Sequence, residues 1–302
     1  MNSLLKQEAK ELLYEVDDLL GVILKGDKWE AMANRLSNLL LKKWDKEQKA
    51  AIIETIDLLI QGEGYISDEE MEIAVNTLEA KLGTSIFEAM RKDIETISLE
   101  SYSKGHADIG ITFEFNTTDK KALYWLTQKD VKQFWIGDSY NTWINNFLNE
   151  MAEEVMKQGM GRVDAGKYFE SILSEGFSRK RNYWELLAEH VVTRSREFGK
   201  VSAYEKAGIT EVKIVAVIDH RTSAICRFLN GKVINVNKLV KQRDDLMKAK
   251  TLKQIKKLAP WYSDKQVEIF EGKNPDKIPS SIGLPPYHAR CRTRTVVFLP
   301  LT

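Results

Sequence analysis

Cysteine and histidine are nearly missing from this chain: its 302 residues include two of the first and four of the second. Two cysteines cannot build a disulfide framework, and nothing places the chain in an oxidising compartment, so folding in a reducing cytoplasm is expected. Long apolar runs are missing too. Stretches such as Leu19–Leu24 and Leu58–Ile60 fall far short of the roughly eighteen residues that cross a bilayer, so no membrane partner is expected. The first residues lack the basic start, apolar centre and small-residue cleavage site of a secretory signal. There is no Walker loop and no Gly-x-Gly-x-x-Gly after a strand, which removes nucleotide-binding sites recognisable by those motifs. What remains is an ordinary soluble composition, 43% apolar and 29% charged, too rich in core formers for wholesale disorder. The length suggests about two domains.

The net charge of +1 conceals a segregation. Residues Arg196–Thr302 carry 21 Lys and Arg against 10 Asp and Glu, while Met1–Ser195 carry 24 against 34. Such asymmetry reads either as a basic half that faces an anionic neighbour or as two halves that neutralise each other within the fold.

Apolar residues recur at the helical period from Leu4 to about Ser98, with separate helices expected at Trp29–Leu41 and Lys46–Ile60. Gly62-Glu63-Gly64 ends the second of these. Ser67-Asp68-Glu69-Glu70 then has the form of a capping box opening a helix that runs to about Gly83. Ile109, Ile111, Phe113 and Phe115 alternate within a looser segment, Ser101–Thr118, that reads as a short strand or extended connector. Thr118-Asp119 is the expected cap of the next helix, and Asp138 or Ser139 that of a longer one from Tyr140 to Gln158. Further helices are expected at Asp164–Ser174 and Asn182–Phe198. After Gly199 the texture changes to strands at Val212–Ile218, Gly231–Val236 and Thr295–Leu299, with a basic helical insert, Asn237–Leu258. The expected fold is α+β, a mainly helical N-terminal body followed by a small C-terminal α+β domain with a short antiparallel sheet. The expected divisions are 1–118, 119–199 and 200–302.

Both cysteines and half of the histidines gather at two points in the last third. One is Asp219-His220-Arg221-Thr222-Ser223-Ala224-Ile225-Cys226; the other is Pro285-Pro286-Tyr287-His288-Ala289-Arg290-Cys291-Arg292. Cys226 with His288-x-x-Cys291 offers two thiolates and an imidazole, a set that suits zinc. Position 223, where a fourth thiolate would complete Cys-x-x-Cys, is Ser, leaving Asp219 or His220 as the nearby fourth ligand. A Cys226–Cys291 disulfide and two buried reduced thiols are the competing readings. A thiol nucleophile is a further one, although no Gly-rich oxyanion turn flanks either cysteine. Asp219 and Arg221 read as an ion pair fastening the loop to the sheet. His190, on a helix, reads as a packing residue.

The insert carries Lys238, Lys241, Arg243, Lys248, Lys250, Lys253, Lys256 and Lys257 against two Asp, with Trp261-Tyr262 just beyond; Arg290, Arg292 and Arg294 form a second basic cluster. Basic side chains beside aromatics grip phosphates and stack on bases, so DNA or RNA contact is one expectation and a solvated helix face the other.

Asp219-x-Arg221-Thr222-Ser223-x-x-Cys226-x-x-Leu229-x-Gly231-Lys232-Val233, followed by Pro285-Pro286-x-His288-x-x-Cys291-Arg292, resembles the Mu protein F-like domain of the minor head, or head morphogenesis, proteins of tailed bacteriophages. The helix at His190–Ala207, with Thr193-Arg194 and Ala203-x-x-x-Ala207, fits the entry to that domain, and the resemblance covers about Glu185–Leu299. Asp219, Arg221, Thr222, Ser223, Gly231, Pro286 and Arg292 are its structural motif here. The departure is Ser223, where many relatives carry Cys. The resemblance implies a non-enzymatic virion component in the head interior, made in the host cytoplasm and present in few copies. It is expected to associate with portal and coat proteins, to act in head assembly and in DNA packaging or delivery, and to take no small-molecule substrate. A structural zinc on Cys226, His288, Cys291 and Asp219 goes with this reading. With the chain stopping four residues after Phe298, no C-terminal enzyme is expected. The alternative is a zinc- or thiol-dependent hydrolase or nuclease, or a delivered toxin, built on the same cluster.

Overall fold

The computed structural model describes residues 28–110, 114–128, 137–268, 279 and 281–298. Six helices come first: α1 Lys28–Ile60, α2 Asp68–Leu82, α3 Thr84–Ala107, α4 Thr117–Leu126, α5 Gly137–Gln158 and α6 Arg162–Lys206. The remainder runs β1 Glu211–Val215, α7 Ala224–Leu229, β2 Val233–Asn235, α8 Val236–Lys248, α9 Leu252–Leu258, α10 Asp264–Val267 and β3 Arg294–Val297. The protein is therefore a mainly helical body with a small three-stranded antiparallel sheet near its C-terminus, ordered β2-β1-β3. Val212 of β1 stands opposite Ile234 on one side and Val297 on the other.

Two pairs of expected helices are each one helix. Lys42-Lys43-Trp44-Asp45 holds no breaker, and Trp44 is wholly buried against Tyr140, Phe177 and Trp184, so α1 continues for 33 residues. Likewise α6 runs unbroken for 45 residues through Gly176, where a Cβ would collide with the Phe147 ring. That glycine is a landing for an aromatic side chain from α5, not a stop. The expected connector from Ser101 is helical as far as Ala107, and Ile111 and Phe113 lie outside the described residues. The helix expected around Leu5–Ile23 lies outside them too.

Ser67 caps α2 with both halves of the capping box. Asn116, rather than Thr118, caps α4, with Asp119 reaching back to the Asn116 amide. At the end of α5, Gly159 takes φ +61, the left-handed conformation that lets Met160 N–H reach the Val155 carbonyl. Arg162 donates to the carbonyls of Leu59, Glu63, Gly64 and Tyr65 and pairs with Glu70 at 2.7 Å, fixing the turn from α1 to α2.

The expected divisions at 118/119 and 199/200 both fall inside helices. The reason is α6. Its first two-thirds pack into the body, while its last turns bracket β3: Arg196 donates to the Thr293 carbonyl, Lys200 and Tyr204 to that of Thr295, and Glu197 accepts from the Thr295 amide and hydroxyl. One hydrophobic core runs from Trp29 to Cys291 without a break.

Candidate metal centre

β1 ends at Val215, three residues short of the expected strand, because the backbone then serves a loop. The Ala216 amide donates to Asn230 Oδ1, and Thr222 Oγ1 donates to the Val217 carbonyl at 2.7 Å. Asp219 Oδ1 accepts from the Arg221 amide at 2.8 Å, a local turn characteristic of aspartate. Ser223 then caps α7, its hydroxyl accepting from the Cys226 amide at 3.4 Å, which sets Cys226 in the first turn. Arg227 clamps the loop from the far side through the Asp219 and Thr222 carbonyls.

The second segment enters through a buried cis Pro285-Pro286 bond and Tyr287, whose hydroxyl donates to the Gly283 carbonyl. Arg290 takes φ +57 and is held there by Asn182 and Glu185 of α6. That reversal presents His288 and Cys291 on the same side.

The two segments meet. Cys226 Sγ lies 3.1 Å from His288 Nε2 and 3.8 Å from Cys291 Sγ. All three ligand atoms fall within 4.8 Å of one another. A disulfide needs about 2.05 Å between sulfurs, so the cysteines are free thiols. Two thiolates on one tetrahedral zinc, each at about 2.3 Å, stand roughly 3.8 Å apart, which is the spacing found. Ala289 O can only accept, so His288 Nδ1 donates to it, which leaves Nε2 facing the sulfurs.

Burial and mutual hydrogen bonding shift all three groups. The hydrogen bond to Cys291, with burial, pushes the Cys226 thiol up. Burial opposes ionising Cys291, but hydrogen bonds from Cys226 and His288 outweigh it and hold that thiol well below its ordinary range. Burial likewise opposes charging His288, and the bond and charge of Cys291 outweigh it and raise the imidazole. The three donor atoms lie close enough together that the group could hold a metal ion.

Asp219 is not in this group, nor is His220, which is exposed. The Asp219 carboxylate is occupied by Arg292, whose Nη2 lies 2.7 and 2.6 Å from its two oxygens. That bond leads the causes that lower its carboxyl to about 2. The expected Asp219–Arg221 pair is the weaker one, at 3.8 Å, and it is Arg292 that ties the two segments. Gly231, at φ +78, donates to the Ile214 carbonyl and turns the chain into β2.

The basic residues divide. Arg243 is wholly buried between Glu205 and Asp244, and Arg294 is buried in β3, so neither reaches a phosphate. Lys241 pairs with Asp245, and Lys238 is half-buried. Lys248, Lys250, Lys253, Lys256 and Lys257 are exposed. Trp261 stacks on His190, centroids 5.5 Å apart, and so is no free platform for a base. His190 is a packing residue as expected, 5% exposed.

Two site features have no sequence signature. Arg194 is wholly buried with Nε and Nη1 lacking partners; burial lowers it to about 10, and the Cys291 charge counters that fall. A cavity of about 330 Å³ lies between α1, α6 and the cluster, reaching Ser223, His288 and Cys291. Glu189 lines it, its carboxyl raised by burial and its Oε2 without a partner. A buried charge on a helix reads in sequence like a solvated one.

Compared with protein-family models, curated proteins and solved structures, the chain matches none.

Proposed function

We propose that the protein is a minor head protein of a tailed bacteriophage, held in the head interior beside the portal and acting in head assembly and in DNA packaging or delivery. The observation that carries the reading is the meeting of the two motif segments, with Cys226, His288 and Cys291 converging and Asp219 joined to Arg292. Cys226 and His288 stand 62 positions apart in the chain, and it is the fold that brings them together. In this reading Cys226, His288 and Cys291 hold a zinc ion, which supplies a cross-link between the two segments. The acidic helical body docks on portal or coat subunits, and the exposed lysines of α8 and α9 face DNA.

Mass spectrometry of purified virions from a phage carrying this sequence tests the assignment. Peptides of the chain are expected in mature heads, at a few copies per particle, and missing from particles assembled without portal. A chain found only in lysate and never in particles overturns it.

A further inference from the structure

The cluster and the adjoining cavity together suggest a second property, which rests on the reading that the three residues hold a metal. Three donors would fill three of the four positions of a tetrahedral ion. Among the described residues no fourth His, Cys, Asp or Glu joins the three. Asp219 is committed to Arg292, and the Ser223 hydroxyl faces the Cys226 amide. Structural sites close all four positions with protein, whereas sites that act on ligands leave one open.

The space beside the cluster is not solid protein. The 330 Å³ cavity touches His288 and Cys291, a volume suited to a small ligand. Its wall carries Arg221, Arg290 and Arg292. Arg221 is the least committed of these, 60% exposed with its nearest acid 3.8 Å away. Arginine in a fork geometry recognises carboxylate and phosphate oxygens. Glu189 faces the same space with a buried oxygen that no protein group satisfies, a position that a ligand's hydrogen-bonding group would fill.

We propose that this is a ligand-binding metal centre: a divalent ion on Cys226, His288 and Cys291 keeps its fourth position open to the cavity, and a small oxyanion binds there against Arg221. Phosphate and carboxylate share the required chemistry. A free anion and the phosphate or carboxylate end of a larger molecule would enter alike.

Cobalt(II) titration of the full-length metal-free protein tests this by absorption, without reference to any activity. One equivalent is expected to give thiolate charge-transfer and tetrahedral ligand-field bands. Azide is then expected to shift those bands saturably, as is either inorganic phosphate or acetate, the stronger of the two naming the anion class. Arg221→Ala is expected to weaken that anion about tenfold, the scale of one lost charge-assisted hydrogen bond. Ser223→Cys adds a thiolate three residues before Cys226 and is expected to abolish the azide response while keeping the tetrahedral bands. Failure to bind cobalt overturns both the metal reading and this one. Cobalt bands indifferent to every anion leave the metal reading intact and overturn the open position. A shift with azide alone overturns the oxyanion.

Discussion

Asp119 carries more of the fold than its place at a helix start suggests. It is wholly buried and accepts from Tyr102 Oη at 2.6 Å, Ser202 Oγ, Lys206 Nζ and the Asn116 amide. Lys206 also reaches His106, so α3, α4 and α6 meet at one carboxylate. Burial opposes its charge, but the bonds from Lys206, Ser202 and Tyr102 outweigh it and lower the carboxyl to about 2. An unfolded Asp titrates near 3.9. The folded state thus binds the proton less readily, and the stabilisation is fully present above about pH 4 and lost as pH falls toward 2. Asp119→Ala should cost about 3–5 kcal/mol at neutral pH, as for breaking a buried pair. In urea melts of wild type and Asp119→Asn, the gap in midpoint should narrow between pH 4 and pH 2. A gap that stays constant over that range would mean the charge contributes nothing.

Between elements, α3 and α6 pack with their backbones close together. A Cβ at Gly105 would collide with the Arg196 carbonyl, and one at Gly199 with that of Tyr102, so the two helices touch backbone to backbone through reciprocal glycines. Rigid carbonyls cannot step aside as a side chain end can. Gly199→Ala should therefore cost about 3 kcal/mol, the upper part of the overpacking range. Gly161→Ala, with φ −66 and nothing within 4 Å of the added atom, should cost under about 1 kcal/mol. Equal midpoints for the two variants in chemical denaturation would contradict the close-packed crossing. The Ser67 capping box and the three strands were legible because each depends on residues a few positions apart. The continuity of α1 and α6 was not legible. Whether Gly176 ends a helix or receives Phe147 depends on α5, which local sequence does not position.

For the molecule as a whole, charge segregation survives in altered form. Part of the basic excess is internal: Arg196, Lys200 and Arg243 are buried and bonded within the chain. Much of the outward part is the lysine run from Lys248 to Lys257, with Arg221, Arg227, Lys241 and Arg290 also exposed. If all five of its lysines meet phosphates, duplex affinity of the full chain should fall roughly three orders of magnitude between 50 and 300 mM salt. Replacing Lys253, Lys256 and Lys257 with Gln should reduce the logarithmic slope by nearly three. A salt-independent affinity would remove DNA from the proposed partners. The full chain is the proper reagent, because β3 takes its bonds from Arg196, Glu197, Lys200 and Tyr204 of α6.

By itself the sequence determined the helical body with its small terminal sheet and the two segments in which Cys226, His288 and Cys291 concentrate. These follow from periodicity, turn chemistry and the sparing use of reactive residue types, all readable along the chain. Only the tertiary structure decided that Arg292 rather than Arg221 secures Asp219, that Arg243 and Arg294 face inward, and that a cavity adjoins the three ligands. Each of those depends on which surfaces of distant segments exclude water from one another, and burial is a property of the packed whole.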